Sequence, residues 1–383
     1  LGMLNPNGKC MAFDESANGY VRSEGVGSVY LKKLNDAVRN HDHIYAVIKG
    51  SAVNHGGKAT SLTAPNEKAQ SDLIVKAIKR SGVDAGEISY IETHGTGTPL
   101  GDPIEINGIK DAFSQLSNQS KGFSICYLGS VKSNVGHLEA AAGIVSLIKV
   151  LLAINNKLLP GNINLTNINK YINLNNSHLE LLRNNIQWEP KDIYGNNIKR
   201  IAGISSFGFG GVNAHVILEE YIDNTNHNGS CDDEYWIRIS ARGIQNLKEY
   251  EKNFADYIER HPNVKISDIA YTLEYGRENF EYSECFKVSN TVELIRMLRT
   301  ASERNYIEEA GKYYSNDELE GYRISLPTYA FSKTEFWFKE NCFYKYNAFI
   351  EDHIVRGNAI VPAAVQIENS LNQVSVKCGG NNN

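Results

Sequence analysis

Two apolar runs, each closing on a histidine-bearing glycine turn before a helical pattern, constrain this chain more than any other feature. The first reads ISYIETHGTGTPLGDPIE over residues 88–105, the second LGSVKSNVGHLEAAAG over 128–143. Strand, turn and helix in that order read as α/β, and the carboxyl ends of strands in an open α/β sheet are where reactive side chains gather. Residues 26–31, 45–48 and 88–91 read as strands and 69–80 and 103–113 as helices. The alternation predicts buried, largely parallel strands up to about Tyr221. Asp102 and Pro103 read as a helix start, an N-cap acid followed by Pro at the first helical position.

His94 closes the first strand. A phosphate loop is the competing reading, but Gly95-x-Gly97-x-x-x-Gly101 has one residue too many for the dinucleotide fingerprint and carries a rigid Pro99. In the second segment Lys132 and His137 lie five apart across a glycine-containing turn, so they can converge on one cavity though not on one helix face. Either histidine alone would more often be a structural hydrogen-bonder, whereas two at two strand ends favour chemistry near neutral pH. A third segment, GISSFGFGGVNAHVIL over 203–218, has glycines around Phe209, including Gly208, that let a backbone N–H turn toward a ligand as an oxyanion donor. On the residues alone, a tight hairpin whose glycines serve only the turn is the stronger reading. His215, inside the apolar run, reads as a core histidine.

The 383 residues predict two or three domains. Lys plus Arg number 39 against 44 Asp plus Glu, a net charge of −5 that leaves no footprint for nucleic acid. The six cysteines include no C-x-x-C pair and no Cys/His cluster at zinc spacing, which suits a reducing compartment and implies no metal. The opening residues have no signal-peptide pattern, and the apolar run 138–154 is interrupted by Glu139, Ser146 and Lys149 and short for a span of about 20 residues. A cytoplasmic chain with no membrane partner is expected. The polar stretch DNTNHNGSCDD at 223–233 marks a boundary. Beyond it Leu247, Tyr250, Phe254 and Ile258 line one face of an amphipathic helix, within a small α/β unit through about Arg323. LPTYAFSKTEFWF at 326–338 reads as a strap lying on another surface.

The three glycine-turn segments resemble the β-ketoacyl synthase (ketosynthase) domains of modular polyketide synthases, members of the thiolase-fold superfamily. CMAFDESANGYVRSEGVG (10–27) and NHGGKATSLTAPNEKAQ (54–70) resemble the same family in the same order, so the match covers about residues 1–221. The resemblance implies the carboxyl-terminal part of a thiolase-like α/β fold. It makes His94 and His137 the catalytic histidines that bind the malonyl thioester carbonyl, promote decarboxylation and stabilise the enolate, with Lys132 supporting them. Phe209, beside Gly208, matches the oxyanion and gating position. The implied reaction is decarboxylative Claisen condensation of an acyl thioester with malonyl on an acyl carrier protein. No cofactor is bound directly; the phosphopantetheine arm belongs to the carrier, and the complete domain is a homodimer. The family's D-T-A-C-S-S-S type nucleophile motif is absent, and neither Cys10 nor Cys126 stands in its place. The expectation is a chain that opens part-way through the domain and does not condense alone.

Residues 222–338 resemble the adapter and post-domain linker that follow such ketosynthases. No acyltransferase lies between them, an order that resembles synthases served by a trans-acting acyltransferase. Finally, DHIVRGNAIVP at 352–362 fits H-x-x-x-G-x-x-x-x-P. This pattern resembles the opening of a hot-dog-fold dehydratase over 339–383, with His353 as its catalytic base and its partner acid beyond Asn383. Two rivals stand beside this reading: a non-condensing ketosynthase that holds or relays acyl chains, and a fatty-acid synthase ketosynthase. Retention of His94 and His137 argues against the first, the adapter-to-dehydratase order against the second.

Overall fold

The computed structural model describes residues 3–57, 65–223, 234–304, 316 and 319–334, and the backbone of 354–355 and 358–359. His353 lies outside the described residues. The first unit runs α1 (Leu34–Arg39), β1 (Val47–His55), α2 (Glu67–Ser81), β2 (Tyr90–Glu92), α3 (Gly101–Leu116), β3 (Cys126–Gly129), α4 (Lys132–Val135), α5 (Ala142–Asn156), β4 (Leu158–Leu159), β5 (Leu179–Leu181), β6 (Ile186–Gln187), β7 (Ile201–Phe207) and β8 (Val212–Glu219). Six strands form one sheet in the order β1-β8-β7-β2-β3-β5.

From β7 to β5 the strands are parallel; β8 runs antiparallel to β7, and β1, antiparallel to β8, points the same way as β7. The chain turns directly from β7 into β8, and a short hairpin can join only antiparallel strands. The expectation of a largely parallel sheet therefore holds for its centre and one side. Residues alternate between the faces: Ile91, Leu128, Ile201 and Ile217 pack with Leu73, Ile74, Ile109 and Phe113 of α2 and α3. Tyr90, Ala202, Ile204 and Leu218 face the other way, toward Val150, Ala153 and Ile154 of α5. Both faces are covered, which accounts for strands apolar on both sides.

Four local readings are corrected. Residues 26–31 form no strand: Val26 is 99% and Tyr30 90% exposed, and no strand pairs with them among the described residues. The strand expected at 45–48 is β1, and it starts later and runs on to His55. Helix α3 opens at Gly101 with Leu100 as its N-cap, so Pro103 is its third residue and Asp102 does not cap it. The Asp102 carboxylate instead accepts the N–H groups of Gly97 and Phe13, at 3.1 and 2.7 Å. Finally, Glu139–Asn156 is long and apolar enough, by length and composition, to cross a membrane. Here its Val150, Ala153 and Ile154 are buried against the sheet.

A second unit comprises β9 (Tyr235–Ala241), α6 (Ile244–Arg260), α7 (Ile266–Gly276), β10 (Tyr282–Val288) and α8 (Thr291–Ser302). The β9–β10 pair and the three helices enclose Ile237, Ile239, Leu247, Phe254, Ile258, Ile269, Leu294 and Leu298. Leu326 and Ala330 of the strap are buried in the same core. The residues just before the strap meet the first unit. Arg323 pairs with Asp42, which also pairs with Lys32; the Arg323 N–H donates to the His41 carbonyl at 2.9 Å; and the His41 ring stacks on Tyr322 at 4.6 Å.

Gly203, in the middle of β7, tests the packing. A Cβ there would lie 2.7 Å from Nε2 of the buried His215. Gly203→Ala is expected to cost about 1–3 kcal/mol through overpacking, read as a lowered denaturant midpoint with an unchanged slope.

Candidate active site

The turn after β2 is held by acids of α3. The N–H groups of His94 and Gly95 donate to the buried Glu105 carboxylate at 2.6 and 2.8 Å. Gly95 and Gly97 have φ of +39° and +76°, and a Cβ on Gly95 would sit 2.7 Å from that of Ser130, so the HGTGT turn needs its glycines. The Ser130 hydroxyl donates to the Gly95 carbonyl at 2.9 Å, tying this turn to the one after β3.

That second turn carries Lys132 at the start of α4 and reverses at Gly136, whose φ is +76°, to deliver His137. The backbone of His137 is clamped by residues 21–23: its N–H donates to the Val21 carbonyl at 2.7 Å and its carbonyl accepts the Ser23 N–H at 3.0 Å. This is where the GYVRSEG motif acts. The Tyr20 ring lies 4.9 Å from the His137 ring.

The two turns bring the histidines together. Their ring centroids are 5.5 Å apart with the planes at 85°. His94 Nδ1 accepts the Phe207 N–H at 3.3 Å, and His137 Nδ1 accepts the Glu139 N–H at 3.0 Å. With Nδ1 accepting, each neutral ring carries its hydrogen on Nε2, so both present N–H donors. Burial, then the Lys132 charge and His137, hold His94 well below the usual imidazole range; burial and Lys132 also lower His137. The sign is physical: a desolvated ring beside an ammonium resists a second positive charge.

Lys132 is 2% exposed. Burial pulls its ammonium down, opposed by Glu92, Glu105, Cys10 and Asp102. The same burial pushes Glu105 up to about 7 and Asp102 to about 6, against the N–H donors each accepts.

Phe209 sits in the β7–β8 turn, 54% exposed, and its N–H has no hydrogen-bond partner among the described residues. Gly208 is a correction. Its N–H donates to the Val212 carbonyl at 2.7 Å, closing the hairpin, and is not free to serve an oxyanion. His215 is fully buried, bonded to the Ser205 hydroxyl at 3.0 Å and pushed down to about 3, as suits a core histidine. Cys10 is buried and accepts the Val21 N–H at 3.1 Å, and burial raises its thiol, as it does that of Cys126 in β3. Neither is an activated thiolate.

Glu105 and Phe207 were not singled out from the sequence, and Asp102 was read there only as a helix cap. The only hint was the D-P-I-E stretch opening a helix beside the HGTGT turn. Among the described residues no group of three or more His, Cys, Asp or Glu could hold a metal ion. A groove of about 740 Å³ belongs to the second unit, lined by Arg238, Arg242, Arg277, Phe280 and Tyr329 among others, and touches none of the residues above. The arrangement built by His94, His137 and Lys132 is a pair of neutral hydrogen-bond donors beside a cation, suited to a carbonyl that gains negative charge.

Comparison with known proteins agrees with this geometry. Three sequence models match in order: "Beta-ketoacyl synthase, N-terminal domain" at residues 1–37, "Beta-ketoacyl synthase, C-terminal domain" at 45–166 and "Ketoacyl-synthetase C-terminal extension" at 169–282. Polyketide synthase PksN of Bacillus subtilis is 37% identical across 99% of this chain, which spans 8% of that protein. The solved ketosynthase from module 6 of the Bacillus subtilis bacillaene synthase superposes with a TM-score of 0.72 at 38% identity, covering 80% of this chain and 52% of that one. An oxazolomycin ketosynthase domain of Streptomyces albus gives 0.78 at 32% identity, covering 88% and 62%. The fold shared with these structures is the thiolase-like α/β fold. The chain thus spans a small part of its curated relative and between half and two thirds of these solved domains. On this agreement of ordered family matches, fold and site, the chain belongs to the β-ketoacyl synthase family, as a ketosynthase of the polyketide synthase type.

Proposed function

We propose that this chain carries the malonyl half of a decarboxylative Claisen condensation. The observation that carries the reading is the pair of neutral, roughly perpendicular imidazoles, both with Nε2–H facing outward from backbone-satisfied Nδ1 atoms. The malonyl thioester oxygen accepts from His94 and His137; loss of CO2 leaves an enolate whose negative charge these donors and Lys132 hold. The enolate carbon attacks an acyl thioester on a cysteine supplied from outside this sequence. Its carbonyl oxygen becomes an oxyanion that accepts the Phe209 N–H. Collapse expels the cysteine thiolate and leaves a β-ketoacyl thioester on the malonyl carrier.

The partner is an acyl carrier protein with its phosphopantetheine arm, and the complete domain works as a homodimer. The second unit is read as the ketosynthase adapter. Its strap follows without an intervening acyltransferase, which supports supply of malonyl by a trans-acting one. Residues 339–383 are read as the start of a dehydratase on the strength of H-x-x-x-G-x-x-x-x-P. In the completed dehydratase, His353→Ala is expected to abolish conversion of a β-hydroxyacyl carrier substrate to the enoyl form while condensation continues; dehydration at the parent rate would remove that assignment.

The condensation reading is tested in the intact synthase polypeptide with an acyl thioester and malonyl-carrier protein, following CO2 and β-ketoacyl product by mass spectrometry. Product with stoichiometric CO2 is expected. Acyl loading without CO2 release would leave only an acyl-holding role.

A further inference from the structure

One buried cluster beside the site has no part in the steps above. Glu92 ends β2, two residues before His94, with no exposed surface. Its Oε1 accepts the Val131 N–H at 2.6 Å. Its Oε2 accepts the Tyr90 hydroxyl and the Lys149 ammonium, each at 2.7 Å, and Lys149 also donates to the Tyr90 oxygen at 2.9 Å. Val131 precedes α4, which opens with Lys132 and leads into His137; Lys149 stands on α5. Room for the cluster is built in: a Cβ on Gly129 would lie 2.4 Å from the Tyr90 hydroxyl. One carboxylate thus joins the strand that delivers His94, the turn that delivers Lys132 and His137, and the helix behind them.

We propose that Glu92 is a positioning residue for the malonyl site, its carboxylate fixed by Lys149 and Tyr90 so that it holds the Lys132 turn in register with His94. The assignment rests on the condensation reading above. Glu92 is also the first of the charges that oppose the effect of burial on Lys132, the others being Glu105 and Asp102 from α3 and Cys10 from the amino-terminal segment. His94 and His137 act on the same centre from their two turns. Glu92→Gln preserves shape and the acceptor for the Val131 N–H but removes the charge. Lys132 then gives up its proton at lower pH, and the enolate loses a cation. Acyl loading, which does not use this carbonyl site, is untouched.

The test uses the intact synthase polypeptide. Acyl loading is read by mass spectrometry, malonyl decarboxylation as CO2 release across the neutral and alkaline range, and folding by thermal unfolding. Glu92→Gln is expected to load at the parent rate and to decarboxylate about tenfold or more slowly above neutrality, with the alkaline limb of its profile moved to lower pH. Lys149→Arg, which keeps the charge on Glu92, is expected to retain the parent profile. An unchanged rate and limb in Glu92→Gln overturns the assignment. Should Glu92→Gln unfold, Glu92→Gln combined with Lys149→Met, which removes the carboxylate charge together with its buried ammonium partner, is read the same way: an alkaline limb moved to lower pH supports the role and an unmoved one overturns it. His94→Ala is run alongside. Full decarboxylation by that variant sinks the condensation reading itself, whereas its loss together with a normal Glu92→Gln sinks only the role of Glu92.

Discussion

His94→Ala and His137→Ala are each expected to cut malonyl decarboxylation and condensation by about a hundredfold or more, while acylation of the nucleophilic cysteine proceeds almost as before. The size follows from what is lost: one of two donors already aimed, desolvated and locked in its tautomer by a backbone N–H on Nδ1. Water entering the space left by the ring donates too, but without preorganisation. The two losses should not add, because an oxygen held by a single remaining donor is already misplaced, so the double variant is expected to be little worse than either single one. Acyl-enzyme and product are quantified by mass spectrometry in the same samples. Undiminished condensation by either variant would remove the histidines from the reaction.

Raising the pH from about 5 to about 7 is expected to weaken the second unit by about 2 kcal/mol, and Glu251→Gln to abolish that dependence. Glu251, on α6, has no exposed surface and neither carboxyl oxygen has a hydrogen-bond partner. The nearest cation, Lys248, is 3.4 Å away but donates to Glu284 at 2.6 Å, so two carboxylates share one ammonium. Burial and Glu284, offset in part by Lys248 and Arg304, push Glu251 up to about 7. An unfolded glutamate releases its proton near about 4.3. Between these values the folded state binds the extra proton, so stability is full below the ordinary glutamate range and is lost as pH rises through about 7. Hydrogen exchange of α6 amides against pH in the whole chain measures the slope. A flat parent profile, or a slope that persists in Glu251→Gln, would refute the assignment.

Legibility differed by the kind of interaction involved. Helix α6 was readable because Leu247, Tyr250, Phe254 and Ile258 repeat on one face, and all four are buried. His94 and His137 could be nominated because a histidine at a strand end before a glycine turn is a local pattern. What joins them is not local. The Glu105 carboxylate looks in sequence like any acid on a helix surface, and only the packing of α3 under the turn puts it on the His94 and Gly95 N–H groups. Gly208 was misjudged for the same reason: whether an N–H is free depends on where Val212 returns in the hairpin. The reversal of β8 was likewise hidden, since strands buried on both faces read alike in either direction. Residues 26–31 have strand composition, but strand structure also needs a neighbour.

The contact of Tyr322 and Arg323, just before the strap, with the first unit sets a rule for exchanging parts between related synthases. A recombination point in the polar stretch at 223–233 is attractive by sequence, yet it separates Asp42 and His41 from Arg323 and Tyr322, which meet across it. A graft that brings a new second unit therefore also replaces one side of a half-buried ion pair and a ring stack. Donors that keep Arg323 against a host lacking an acid at position 42 would leave the guanidinium without its carboxylate. Chimeras should therefore be cut so that residues 32–45 travel with the strap, or chosen so that both partners match.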